Sequence, residues 1–204
     1  MKTLSEAFQH ALSYTEYVEA WRAHLAIPKK ELDKTGRIYQ YYALYNQGRS
    51  TDVTGAFAPS EAIQQALKRI DTPVYWLVLT EDWCGDSAFS LPVIVALAEQ
   101  SEHVTLRILL RDHNLDLMDR YLTNGTRSIP KLVAFDPETG RELFQWGPRP
   151  AELAEARTTW KAEGADGKEI TKRGVAWYED GGWRQVEEEL LALLTTTTNP
   201  VAIT

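Results

Sequence analysis

Six consecutive residues, Val74-Tyr75-Trp76-Leu77-Val78-Leu79, are all apolar, β-branched or aromatic. A strand with no polar side must be covered on both faces, as strands of parallel sheets are. His103 to Leu110 has the same character, and the run between them, Ala88 to Gln100, has a helical length and composition. Two buried strands joined by a helix imply a right-handed parallel crossover, so the chain reads as α/β. The only cysteine, Cys84, falls at the strand-to-helix turn, within Thr80-Glu81-Asp82-Trp83-Cys84-Gly85-Asp86-Ser87.

Around this unit the chain divides by periodicity and by breakers. Leu4, Phe8, Leu12, Val18, Trp21 and Leu25 recur mostly at three and four, which predicts one amphipathic helix stopped by Pro28. Neither His10 nor His24 within it has a second ligand at a metal-binding spacing. Lys34-Thr35-Gly36 reads as a break before a helix over Arg37 to Gln47, whose stripe of Ile38, Tyr41, Tyr42 and Tyr45 is expected to pack, and 48–59 reads as an exposed loop. Ser60 is an N-cap for a helix over Glu61 to Ile70. Past the second strand, Asn114 is placed to cap Leu115 to Leu122, and Asn124-Gly125 to close that helix. Lys131 to Phe135 and Glu142 to Trp146 flank Asp136-Pro137-Glu138-Thr139-Gly140 as an antiparallel hairpin. Helices follow from Pro148 or Pro150 to about Glu163, over Lys168 to Tyr178, and over Trp183 to Leu194, with a loose Thr-rich end from Thr195.

Composition excludes several classes of function. A net charge of −7 without any basic block argues against nucleic acid and against an anionic membrane surface. No apolar run approaches the roughly 18 to 20 residues that span a bilayer. The start, Met1-Lys2-Thr3-Leu4-Ser5-Glu6, does not read as a signal peptide, and one cysteine excludes an intramolecular disulfide, so a cytoplasmic location is expected. Seven Trp and nine Tyr, mostly outside 60–157, read as packing for added helices.

A thiol at a helix start has chemical potential, because free amides and the positive end of the helix dipole favour thiolate. A lone cysteine can equally be a small hydrophobe. Trp83-Cys84-Gly85-Asp86-Ser87 resembles the thioredoxin signature Trp-Cys-Gly-Pro-Cys, with Asp86 in the proline place and Ser87 in that of the second cysteine. Pro92 falls in the following helix, Ser128-Ile129-Pro130-Lys131 matches the family's Ile-Pro segment, and Trp146-Gly147 matches the glycine ending the last strand. The resemblance covers roughly Ser60 to Arg157 and is nearest to bacterial thioredoxin-like proteins with Glu-x-Trp-Cys-Gly-Asp-type sites. It implies a thioredoxin-like fold, a mixed central sheet flanked by helices, with extra N-terminal and C-terminal helices. Residues 1–59 are then an N-terminal helical extension, 60–163 the core, and 164–204 a C-terminal extension packed on it, in a single domain overall.

The resemblance also implies a site. Cys84 is the nucleophile, Ser87 in the resolving position supports its thiolate, Trp83, Gly85 and Asp86 bind substrate beside the thiol, and Ile129-Pro130 is expected in the cis form, presenting an extended substrate backbone. A serine cannot resolve a mixed disulfide, and the buried acid that thioredoxins carry six residues before the first cysteine is here Val78. Asp82 and Asp86 oppose the helix end by raising the thiol pKa, and sequence leaves that balance open. The leading expectation is a monothiol protein that exchanges with protein or small-molecule disulfides through Cys84. An external low-molecular-weight thiol such as glutathione or bacillithiol resolves the adduct, and neither metal nor cofactor is called for. The alternative is a redox-inactive module that binds peptides or proteins, and a third, less favoured, is an iron–sulfur carrier.

Overall fold

The computed structural model describes residues 2–198. Helices α1 (Leu4–Gln9) and α2 (Tyr14–Ala26) replace the single expected N-terminal helix. Each opens on its own capping box, Thr3 with Glu6 and Ser13 with Glu16, so the second box starts a new helix where apolar spacing alone suggested continuity. Between them Leu12 is extended and exchanges both backbone hydrogen bonds with Ile108.

Helix α3 spans Lys34–Ala56, so Lys34-Thr35-Gly36 is its first turn, capped by Asp33, and most of the expected loop over 48–59 is helical. Its orientation overturns the packing expected of the tyrosines. Tyr41, Tyr42, Tyr45 and Ile38 are exposed, and Gln40, Ala43, Asn46, Ser50 and Val53 face inward. The inward polar groups are satisfied, which makes their burial tolerable. Gln40 Nε2 donates to the carbonyls of His24 (3.0 Å) and Ile27 (2.8 Å), ending α2, and Asn46 Nδ2 donates to the carbonyl of Asp82 (3.0 Å). Small side chains along this face let α3 lie close against the helix that follows Cys84.

Ser60 caps α4 (Glu61–Lys68) as expected, and β1 (Val74–Thr80) leads through the cysteine turn into α5 (Gly85–Ala98) and then β2 (Val104–Leu110). Helix α6 is only Leu115–Met118; the Asn114 side chain donates to the Leu110 carbonyl instead of capping it. Asn124 and Gly125, both at positive φ, form a separate turn beyond it. Strands β3 (Lys131–Phe135) and β4 (Glu142–Trp146) form the expected hairpin. Helices α7 (Ala151–Ala162), α8 (Gly167–Glu179) and α9 (Gln185–Thr198) complete the described chain. The expected loose end is helical at Thr195 and Thr196, whose hydroxyls donate back to the Leu191 and Ala192 carbonyls; residues 199–204 lie outside the description.

The sheet has the order β2-β1-β3-β4, with β1 parallel to β2 and antiparallel to β3, as a mixed sheet requires. Alternation along β1 divides the core in two. Trp76 and Val78 join Ile108, Leu132 and Phe144 beneath α3, α4, α5 and α9. Leu77 and Leu79 join Leu109, Val133 and Phe135 on the face covered by Leu4 and Phe8 of α1. Cys84 and Ile129 belong to this second cluster, so the thiol begins in an apolar setting.

Candidate functional site

At the end of β1 the chain leaves the sheet at Thr80 and turns through Glu81-Asp82-Trp83, and Cys84 becomes the N-cap residue of α5 in an extended conformation. Ser87, one turn into the helix, therefore sits back beside the strand end. Its hydroxyl accepts a hydrogen bond from Thr80 Oγ1 at 2.5 Å, with both residues buried. Cys84 Sγ donates to the Ile129 carbonyl at 3.2 Å, and the Ile129-Pro130 peptide is cis. The structure thus brings Cys84, Ser87, Ile129 and Pro130 together. Gly85 opens the helix with free space around its α-carbon.

A second cis peptide, Gly147-Pro148, lies against this loop and has no counterpart in the sequence reading. Gly147 has φ 104°, and any β-carbon there would strike the Pro130 carbonyl oxygen, so glycine is dictated by backbone meeting backbone. Lys131 Nζ donates to the Gly147 carbonyl at 3.1 Å and ties the two loops together.

Both acids beside the thiol have partners that local sequence does not announce. Arg149 donates from Nη2 (2.7 Å) and Nε (3.1 Å) to Asp86. His24 Nδ1 lies 2.6 Å from the Asp82 carboxylate, and Asn46 holds the Asp82 carbonyl. Trp83 is stacked on Tyr39 of α3 at 4.5 Å, and the Arg111 guanidinium lies 4.9 Å from its ring. The turn is therefore fastened to α2 and α3 at three points, His24, Tyr39 and Asn46. Trp83 is an internal contact of those helices as much as the wall of a groove.

The contest over the thiol is decided by burial. Cys84 is 7% exposed, and loss of hydration pushes its pKa up to about 11, with the charge of Asp86 adding to the rise. The Ser87 hydroxyl and the amides of Ser87 and Asp86 pull the other way and do not win. Val78, where thioredoxins carry an acid, is fully buried among apolar side chains.

Glu81 is also perturbed: burial raises its pKa to about 7, against the amide of Asp112, which donates to it at 2.7 Å. A carboxyl whose folded pKa lies above its unfolded value holds its proton more tightly when folded. Its contribution therefore favours folding up to the ordinary carboxylate range near 4.5 and is lost as pH rises through 7. The gap sets a ceiling of about 3 kcal/mol, of which relaxation of the polar surroundings about the charge leaves about 2 kcal/mol. Glu81→Gln is accordingly expected to be about 2 kcal/mol more stable than the native chain at pH 8 and nearly unchanged at pH 4.5. Urea unfolding at the two pH values measures this, and equal differences at both would contradict it.

The thioredoxin family model matches residues 33–161, well over half of the chain. No curated protein matches. Among solved structures, a Pseudomonas aeruginosa protein of unknown function, PA1234, aligns over 96% of this chain and 98% of its own with a TM-score of 0.64 and 16% identity. An HIV epitope-scaffold aligns over 95% and 98% with a TM-score of 0.63 and 18% identity. At such identities these two structures speak for the fold alone. With the family match spanning the cysteine turn, the cis Ile129-Pro130 segment and the β3–β4 hairpin, the chain belongs to the thioredoxin family.

Proposed function

We propose that this chain is a binding module of the thioredoxin family in which Cys84 is a packed, protonated thiol. The observation that carries the reading is the burial of the sulfur, with a pKa pushed up to about 11. At pH 7 a thiol of that pKa is ionised to about one part in 10⁴, against a few per cent for a free cysteine. The greater nucleophilicity of a more basic thiolate recovers only about tenfold. The Ser87 hydroxyl and the first amides of α5 offset only part of the rise, and Val78 offers no proton acceptor. Partners are read as proteins, peptides or small molecules, without nucleic acid or membrane. Among the described residues no helix is long and apolar enough to cross a membrane. A reducing, cytoplasmic compartment and helical extensions flanking a 60–163 core belong to the same proposal.

One observation favours a second reading, monothiol exchange. Cys84 Sγ lies 3.2 Å from the carbonyl preceding cis Pro130, where an extended disulfide substrate would be presented. The thiolate would form a bond to one substrate sulfur and expel the other as thiolate. An external thiol, glutathione or bacillithiol, would then attack the mixed disulfide and return Cys84 to the reduced form.

The rate of Cys84 alkylation by iodoacetamide, followed by intact mass against pH, separates the two. The module reading expects slow reaction at pH 7, rising about tenfold per pH unit to beyond pH 10, and no adduct with glutathione disulfide at neutral pH. Rapid alkylation at pH 7 with a low-pH plateau, or a stoichiometric adduct reversed by reductant, would overturn it in favour of exchange.

A further inference from the structure

A cavity of about 320 Å³ lies beside the cysteine turn, bounded by α2, α3 and the segment after β2. Its aromatic wall is made by Tyr17, Trp21, Tyr39 and Trp83, and its polar wall by Glu81, Asp82, Asp112 and His24. Two of the three acids are already partnered by a side chain within the protein: Asp82 by the His24 imidazole at 2.6 Å, and Asp112 by Arg111 at 2.6 Å. Glu81 is not. It is 8% exposed, it accepts one backbone hydrogen bond from Asp112, and among the described residues no ion pair reaches it.

A carboxylate held out of water without a counter-ion destabilises the chain that carries it, as the expected behaviour of Glu81→Gln expresses. Functional sites are where such a cost is retained. Ring faces attract cations, and a desolvated carboxylate gives an ammonium its strongest hydrogen bond. An anion entering the cavity would meet three carboxylates, and a purely apolar guest would leave Glu81 more poorly solvated than before.

We propose that this cavity binds a primary ammonium group, with Glu81 as its counter-ion and the surrounding aromatic rings as its walls. The inference supplies a ligand chemistry for the binding reading and rests on it in that respect, although no step involves Cys84. The volume suits an amine of a few carbons or the end of a lysine side chain, two sources of one chemistry. The groups facing Glu81 are Asp82, Asp112 and Arg111 from the adjoining loops, with Tyr17 and His24 from α2 and His113 after β2. As pH falls from 8 to 6 Glu81 gains its proton and loses the charge that holds a cation, so binding weakens.

The test uses the full chain labelled with ¹⁵N and the indole N–H signals of Trp21 and Trp83. The probes are n-butylammonium chloride, n-butanol of matching shape, and acetyl-Gly-Lys-Gly-amide. At pH 8 butylammonium is expected to shift the two indole signals saturably, and butanol at the same concentration to leave them in place. The apparent Kd should weaken about tenfold at pH 6. Glu81→Gln should weaken it at least tenfold at pH 8 while the remaining indole signals report an intact fold. If the peptide binds more tightly than butylammonium, the source is a protein segment; the reverse order assigns a free amine, and either order supports the site. Equal shifts by butanol, absence of saturation, or an affinity independent of pH in the native chain would overturn the proposal. Because Cys84 alkylation is read separately, failure here and failure of the thiol reading are told apart.

Discussion

Gly147→Ala is expected to lower the stability of the fold by about 3–5 kcal/mol, seen as a fall in the urea midpoint and in Tm of about 10 °C. Two effects add. At φ 104° an L side chain is strained even in open space, at a cost of order 1–3 kcal/mol. Here the space is closed as well, because the new methyl group would overlap the Pro130 carbonyl, and backbone cannot rotate aside as a side chain would. Gly48→Ala is the control: Gly48 lies within α3 with nothing near a built β-carbon, and alanine there should gain up to about 1 kcal/mol. A loss below 1 kcal/mol for Gly147→Ala would mean that the end of β4 can move away from the Pro130 loop.

Arg149→Met is expected to cost about 2–4 kcal/mol, because it removes the cation from a carboxylate whose side chain is only 15% exposed. Part of the charge of Asp86 is still answered by Arg157, so the cost stays below that of a wholly unpaired buried carboxylate. Tyr178 is buried beside Asp86 and is held well above the ordinary phenol pKa by that burial and by the Asp86 charge. Adding Asp86→Asn to Arg149→Met should restore most of the loss, since a neutral amide in that place tolerates the missing cation. Losses that merely add, with no recovery in the double variant, would show that solvent screens the pair. The thiol supplies a second readout: with Arg149 gone, the charge of Asp86 acts on Cys84 against less opposition and the alkylation midpoint should move further upward.

The sequence carried the parts of this structure that are local or nearly so. The unbroken apolar run from Val74, the cysteine turn and the 131–135 and 142–146 hairpin all stand where their residues placed them. The cis Ile129-Pro130 bond followed from family resemblance. The break after α1 was also legible, since Ser13 and Glu16 form a capping box and the apolar spacing lapses to six between Leu12 and Val18. The inward face of helix α3 is not legible in its sequence, for a different reason. Both of its stripes, the tyrosines and the Gln40-Ala43-Asn46-Ser50-Val53 face, fit a helical period, and periodicity does not say which of two faces a neighbour will choose. The neighbour chose the small and hydrogen-bonded face. The partners of the thiol's acids were out of reach altogether. His24 lies 58 positions from Asp82, and Arg149 lies 63 from Asp86, so neither pair leaves a mark on local composition. Burial is the largest influence on the state of Cys84, with the charge of Asp86 second, and burial is a property of the assembled core.

Leu12 has a bearing on how the protein meets other chains. The outer side of β2 is an edge, a row of amide and carbonyl groups onto which a foreign strand could add itself. By exchanging both bonds with Ile108, Leu12 occupies part of that row, and α1 and α2 flank it in the chain. Growth of the sheet on this flank is blocked by the chain itself. Among the described strands this leaves β4, five residues long and carrying the exposed polar side chains of Glu142 and Gln145, as the open margin. A margin so short and so polar is poorly suited to the edge-to-edge association that leads to fibres.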